Sequence, residues 1–161
     1  MSRIALALFL SFAGLVAARA APAEPVARPL PPDVCSALRT AFAAALGFPL
    51  ASGTQSPKTV SDSAPAGTAC TFSGRATGLG HSYADALGRL ETIVEGWDQI
   101  AEISADGPES TVQGYRKDDR RVVVALDRSP PDGTCENTVQ VRCKVPAKRW
   151  RWTFKAAAYR Q

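Results

Sequence analysis

Histidine is almost missing from this chain: a single residue, His81, in 161. That scarcity leaves little room for a metal centre, because His81 adjoins none of the four cysteines and their spacings are not Cys-x-x-Cys. Runs of the form Ser-x-x-Lys, Gly-x-Ser-x-Gly and His-Glu-x-x-His are absent, as are a phosphate loop and a dinucleotide fingerprint. Charge of one sign is also in short supply. A net charge of +4 is too mild to imply a polyanion partner by itself. After the first twenty residues nothing is apolar enough to span about 30 Å of hydrocarbon.

What is present starts at Met1. A basic Arg3 precedes an apolar run from Ile4 to Ala17, and Ala18-Arg19-Ala20 places small residues where a signal peptidase reads. Residues 1–20 are expected to be a cleavable secretory signal peptide, with an uncleaved N-terminal anchor as the competing reading. No cysteine sits at the cleavage site for lipid attachment. The implied location is periplasmic or secreted. Removing Arg3 and Arg19 takes the charge from +4 to +2.

In an oxidising compartment Cys35, Cys70, Cys135 and Cys143 point to two disulfides. Three pairings exist on paper. Cys35–Cys70 with Cys135–Cys143 is favoured because each joins neighbours in the chain.

Residues 21–32 hold five prolines and read as an extended tether. Residues 33–161 then read as one domain. Asp33 is placed to cap a helix carrying Val34, Leu38, Ala41 or Phe42, and Ala45 at helical spacing, stopped by Gly47 and Pro49. The Ser/Thr/Pro/Gly-rich stretch 51–67 reads as a mobile loop, and 68–74 as a first strand. Ser82 caps a second helix, with Tyr83, Leu87, Leu90, Val94 and Trp97 on one face. Strands follow at 99–105, 110–115, 121–127, 138–145 and 149–159, with Val122-Val123-Val124 central. The expected fold class is α+β: an antiparallel sheet of about five strands, two helices packed on one face and two disulfides.

One stretch has relatives in pattern. Cys35-Ser36-Ala37-Leu38, then Ala45-Leu46-Gly47-Phe48-Pro49, then Cys70-Thr71-Phe72 resembles small secreted or lipid-anchored bacterial domains, many of unknown function and some sensor-like. In these a helix ending Ala-Leu-Gly-x-Pro precedes a Cys-Thr-aromatic strand. The resemblance covers about forty residues, implies that Cys35 pairs with Cys70, and brings no catalytic residues.

His81-Ser82 suggests a nucleophile–base pair, but adjacent side chains rarely meet and no orienting acid can be assigned. Asp106, Glu109, Asp118 and Asp119 fit turns. No cofactor is implied. The feature above background is the C-terminal strand, where Arg149, Arg151, Thr153 and Lys155 alternate with Trp150, Trp152, Phe154 and Ala156. The plain reading is an aromatic core row backed by a solvated basic row. The sharper one joins Arg142, Lys144 and Arg160, with Arg120 and Arg121, into a patch for an anionic protein or envelope polymer. Nucleic acid fits poorly, since the Trp rings that would stack bases are assigned to the core.

The leading expectation is an exported, non-enzymatic binding domain. An inhibitor or immunity-like protein acting on an envelope or host enzyme is the alternative, and a hydrolase using His81 comes third. Closing the longer loop removes more unfolded-state entropy, so Cys35→Ala is expected to lower the melting temperature more than Cys143→Ala. Thermal melts in oxidising buffer check the order.

Overall fold

The computed structural model describes residues 25–135 and 144–161. The expected signal peptide, Arg142, Cys143 and most of the expected strand 138–145 lie outside the described residues. Within them the elements run β1 (Arg28–Pro29), α1 (Pro32–Leu46), β2 (Ala51–Gln55), β3 (Ala69–Thr77), α2 (Tyr83–Ile93), β4 (Asp98–Asp106), β5 (Ser110–Lys117), β6 (Arg120–Ser129) and β7 (Arg151–Arg160). The fold is α+β. Its single antiparallel sheet has the order β2-β3-β7-β6-β5-β4, with β1 pairing the end of β7. Seven strands therefore replace the expected five or so.

The two strands missed by periodicity are β1 and β2. β2 occupies the stretch expected as a mobile loop; all five of its residues are exposed, and it is held by pairing with β3 from Ala51↔Ser73 to Gln55↔Ala69. A strand with no buried side chain leaves no alternation to read. β1 lies in the expected tether. Arg28 pairs Arg160, Pro29 pairs Tyr159, and Ala27 and Leu30 are buried, so this proline-rich stretch is extended but fixed to the domain.

α1 starts at Pro32, whose ring presets the first helical φ, and Asp33 falls inside the first turn rather than at the cap. Gly47 ends the helix at φ 77°, a left-handed position that costs glycine nothing. α2 is capped as expected. The Ser82 hydroxyl accepts the Asp85 N–H (3.1 Å) and the Asp85 carboxylate accepts the Ser82 N–H (3.1 Å). It stops at Ile93, short of Trp97, which packs at the margin of the core.

Both helices cover the same sheet face. Phe42 and Leu46 of α1 and Tyr83, Ala86 and Leu90 of α2 meet Phe72, Val122, Val124, Leu126, Trp152, Phe154 and Ala156 in one cluster. Phe42 is fully buried, with its ring 5.4 Å from Phe154. The Cys35–Cys70 disulfide, Cα–Cα 6.1 Å, ties α1 to β3. It is the one disulfide seen among the described residues, against two expected, and the expected partner of Cys135 falls outside them.

The opposite, outer face is divided. Around Ala69, Val123, Ala157 and Tyr159 it is buried beneath Ala27, Val60 and a bulge of β4 that sets Ile103 over Gly114, where any Cβ would lie 2.9 Å from the Ile103 side chain. Its other half is open. Among the described residues no helix is long and apolar enough to cross a membrane.

Two changes test this packing by urea denaturation. Phe42→Ala is expected to cost about 3–5 kcal/mol, as a buried aromatic truncation. Ser82→Ala, which removes only one cap bond, is expected to cost about 1 kcal/mol.

Candidate functional site

Polar side chains gather on the open half of the outer face because β3 and β7 alternate in step there. The register Ser73↔Lys155, Arg75↔Thr153, Thr77↔Arg151 puts all six on one face, while Phe72, Trp152 and Phe154 turn to the helices. Ser73, Arg75, Thr77 and Lys155 are exposed, and Arg151 and Thr153 are half-buried. Arg151 and Lys155 lie four residues apart on one strand, about 13 Å, with Arg75 between them on the next. A shallow cavity of about 440 Å³ opens here, lined by Arg75, Thr77, Ser129, Arg151 and Thr153.

Two carboxylates border this surface. Asp132 forms a two-pronged ion pair with Arg151, and its own side chain is 88% exposed. That pairing holds the Asp132 carboxyl below the usual carboxylate range. Asp127, cross-strand from Thr153, is pushed up by burial and partly restored by a Ser110 hydrogen bond. Arg75 and Lys155 carry no ion pair within the described residues.

The expected basic row is thus partly assembled. Arg151, Thr153 and Lys155 share the outer face as expected, and Trp150, Trp152, Phe154 and Ala156 are buried. Arg149 does not join them: it ends a 3-10 turn, Ala147–Arg149, before β7 begins, so the strand alternation never reaches it. Lys144 is exposed ahead of that turn, and Arg142 is outside the described residues. Arg120 and Arg160 pair across β6 and β7 at the far end of the strands from Arg151. Arg121 donates to the backbone oxygens of Asp118 and Arg120 at the hairpin tip.

Arg75 was not among the expected site residues. The polar series Thr71, Ser73, Arg75, Thr77 against Cys70, Phe72, Gly74, Ala76 is the signal that finds it, once β3 is carried past Gly74 to Thr77.

A second polar cluster lies on the helix side and is structural. The Arg128 guanidinium stacks on Trp150 at 4.4 Å and Trp152 at 5.4 Å, and its Nη1 meets Glu109 Oε2 at 3.3 Å, both side chains being 16% exposed. Burial raises the Glu109 carboxyl while Arg128 opposes that rise. His81 packs against Trp152, ring centroids 5.5 Å apart, with Nε2 buried and lacking a hydrogen-bond partner. The Ser82 hydroxyl is occupied by the Asp85 amide. No charge relay is assembled around His81.

Comparison with family models, with curated proteins and with solved structures finds no match to this chain.

Burial, reinforced by nearby Arg89 and opposed by Asp85, holds His81 below the ordinary histidine value of 6.5. The folded state therefore resists protonating it. Its contribution to stability is complete above that value and falls as the pH drops through the ordinary value towards the lowered one. NMR titration of this lone histidine is expected to place its midpoint below 6.5; a midpoint at or above the ordinary value contradicts the burial argument.

Proposed function

We propose that this chain is an exported, non-enzymatic binding domain that holds an anionic partner on the open half of its outer sheet face. The observation that carries the reading is the convergence of Arg75, Arg151 and Lys155, from two strands, on one solvent-facing surface with a cavity between strand ends. Arg75 and Lys155 form no ion pair within the described residues, and guanidinium groups pair carboxylates and phosphates through parallel hydrogen bonds. The Cys35–Cys70 disulfide fits a protein working where thiols are oxidised, in keeping with the signal-like N-terminus. The site is a shallow, solvent-open depression. Its electrostatics favour encounter and salt-sensitive holding over chemistry.

The test is capture on polyglutamate beads at about 50 and 500 mM salt, the higher shortening the screening length to a few ångströms. Arg75→Glu combined with Lys155→Glu is expected to keep the wild-type melting temperature within a few degrees and to reduce low-salt capture at least tenfold. Arg149→Glu, off this face, is expected to reduce it less than threefold. Equal recovery of the wild type and the double variant at both salts overturns the reading.

A further inference from the structure

The two edges of the sheet are built differently. β4 is interrupted by a bulge between Ile100 and Ala105 and carries Asp98, Glu102 and Asp106, the usual devices that discourage another strand from adding. β2, Ala51-Ser52-Gly53-Thr54-Gln55, has neither charge nor proline, shows no bulge against β3, and is exposed throughout. Among the described residues nothing pairs with its outer side.

Cavities flank that bare edge on both faces. On the helix side a space of about 410 Å³ lies between β2, the start of α1 and the disulfide, lined by Leu30, Cys35, Arg39, Thr54, Cys70 and Phe72. On the outer side a space of about 350 Å³ is lined by Gly53, Gln55, Val60, Ser73 and Lys155. Each has one cation, Arg39 or Lys155, and no acidic residue in its lining.

Resting on the binding reading above, we infer that β2 is a docking edge for an extended acidic peptide, added as an eighth strand with side chains entering the cavities on alternate faces. Strand addition draws affinity from main-chain hydrogen bonds and selectivity from pockets spaced at the strand period, and an edge with a pocket on either side supplies both. The five residues of β2 span about 17 Å, enough to pair five or six residues of a partner. Charge complementarity selects carboxylates, one towards Arg39 and one towards Lys155. A second copy of this chain is a poor occupant. Its β2 side chains, Ala, Ser, Gly, Thr and Gln, are too small to fill cavities of this size and carry no carboxylate for Arg39 or Lys155.

The experiment uses the mature full chain and a fluorescein-labelled eight-residue peptide, Val-Glu-Glu-Val-Val-Glu-Glu-Val, read by fluorescence anisotropy at low salt. Three companions are a peptide with lysine at every glutamate, a fully backbone N-methylated peptide, and the protein variants Arg39→Ala, Lys155→Ala, Ser52→Pro and Gly53→Pro. Adjacent prolines are both made because backbone N–H groups alternate in direction along a strand, so one of the two leaves the β3 ladder intact. Expected are a tenfold or greater loss with the lysine and N-methylated peptides, a threefold to tenfold loss with Arg39→Ala and with Lys155→Ala, and a tenfold loss with whichever proline variant keeps the wild-type melting temperature. The N-methylated peptide reads the same point on the unaltered protein should both proline variants unfold.

Binding that depends on Arg75 and Lys155 but ignores Arg39, the prolines and N-methylation overturns strand addition and leaves the basic-face reading standing. Absence of any salt-sensitive binding to the acidic peptide or to polyglutamate overturns both. Dimerisation of the free chain that is abolished by whichever proline variant keeps the wild-type melting temperature assigns the edge to a second copy and overturns the peptide.

Discussion

β7 pairs along nearly its whole length with β3 on one side and β6 on the other, and through its last two residues with β1. The molecule is arranged around that double pairing. One face of the strand delivers Trp152, Phe154, Ala156 and Ala158 to the helices; the other delivers Arg151, Thr153 and Lys155 to solvent, then Ala157 and Tyr159 to a second, smaller cluster. Because side chains alternate with period two, a one-residue slip of β7 would exchange tryptophan for arginine in the core. The aromatic row therefore fixes the register, and the register fixes which cations share the outer face. The placement of the basic row on the exposed face follows from a packing requirement.

The same register explains why the outer face divides. Towards the C-terminal end of β7 the row Gly53, Thr71, Ala157, Val123 and Gly114 is built of small or β-branched side chains, which lets covering segments approach closely. Val60 and the β4 bulge settle there, and Thr71, Val123 and Ala157 are removed from water. Towards the start of the strand, long charged side chains from β3 and β7 prevent that approach. That half of the face is left open to solvent.

Much of the fold was legible because burial writes a period into the sequence. α1, α2, β6 and β7 each put apolar residues on one face, and each was placed within a few residues. β1 and β2 escaped because they contribute almost no buried side chain; β2 is held by its backbone, and backbone bonds leave no mark on residue type. The site was legible to the same degree. Arg151 and Lys155 follow from the alternation of β7, whereas Arg149 belongs to a turn whose only signal is Pro146. Arg39 was invisible as a site residue. It lies on an ordinary amphipathic helix, and only the tertiary fold sets it beside an edge strand more than a dozen residues away.

That juxtaposition follows from the Cys35–Cys70 link. Cys70 stands opposite Thr54 in the β2–β3 ladder, so the disulfide joins the first turns of α1 to the strand immediately inside the edge. An edge strand as short and uncharged as β2 would ordinarily fray, because a few exposed hydrogen bonds hold it and no packed side chain does. Anchoring its neighbour to α1, at a position where β7 also pairs through Ala158, holds the edge in register without covering it. Backbone pairing is favourable only when the receiving strand is already ordered, since otherwise the incoming chain must supply the ordering entropy of both. The disulfide removes that second cost at the one edge without charge or bulge, and it forms part of the floor of the helix-side cavity. Stability and availability are joined at one crosslink.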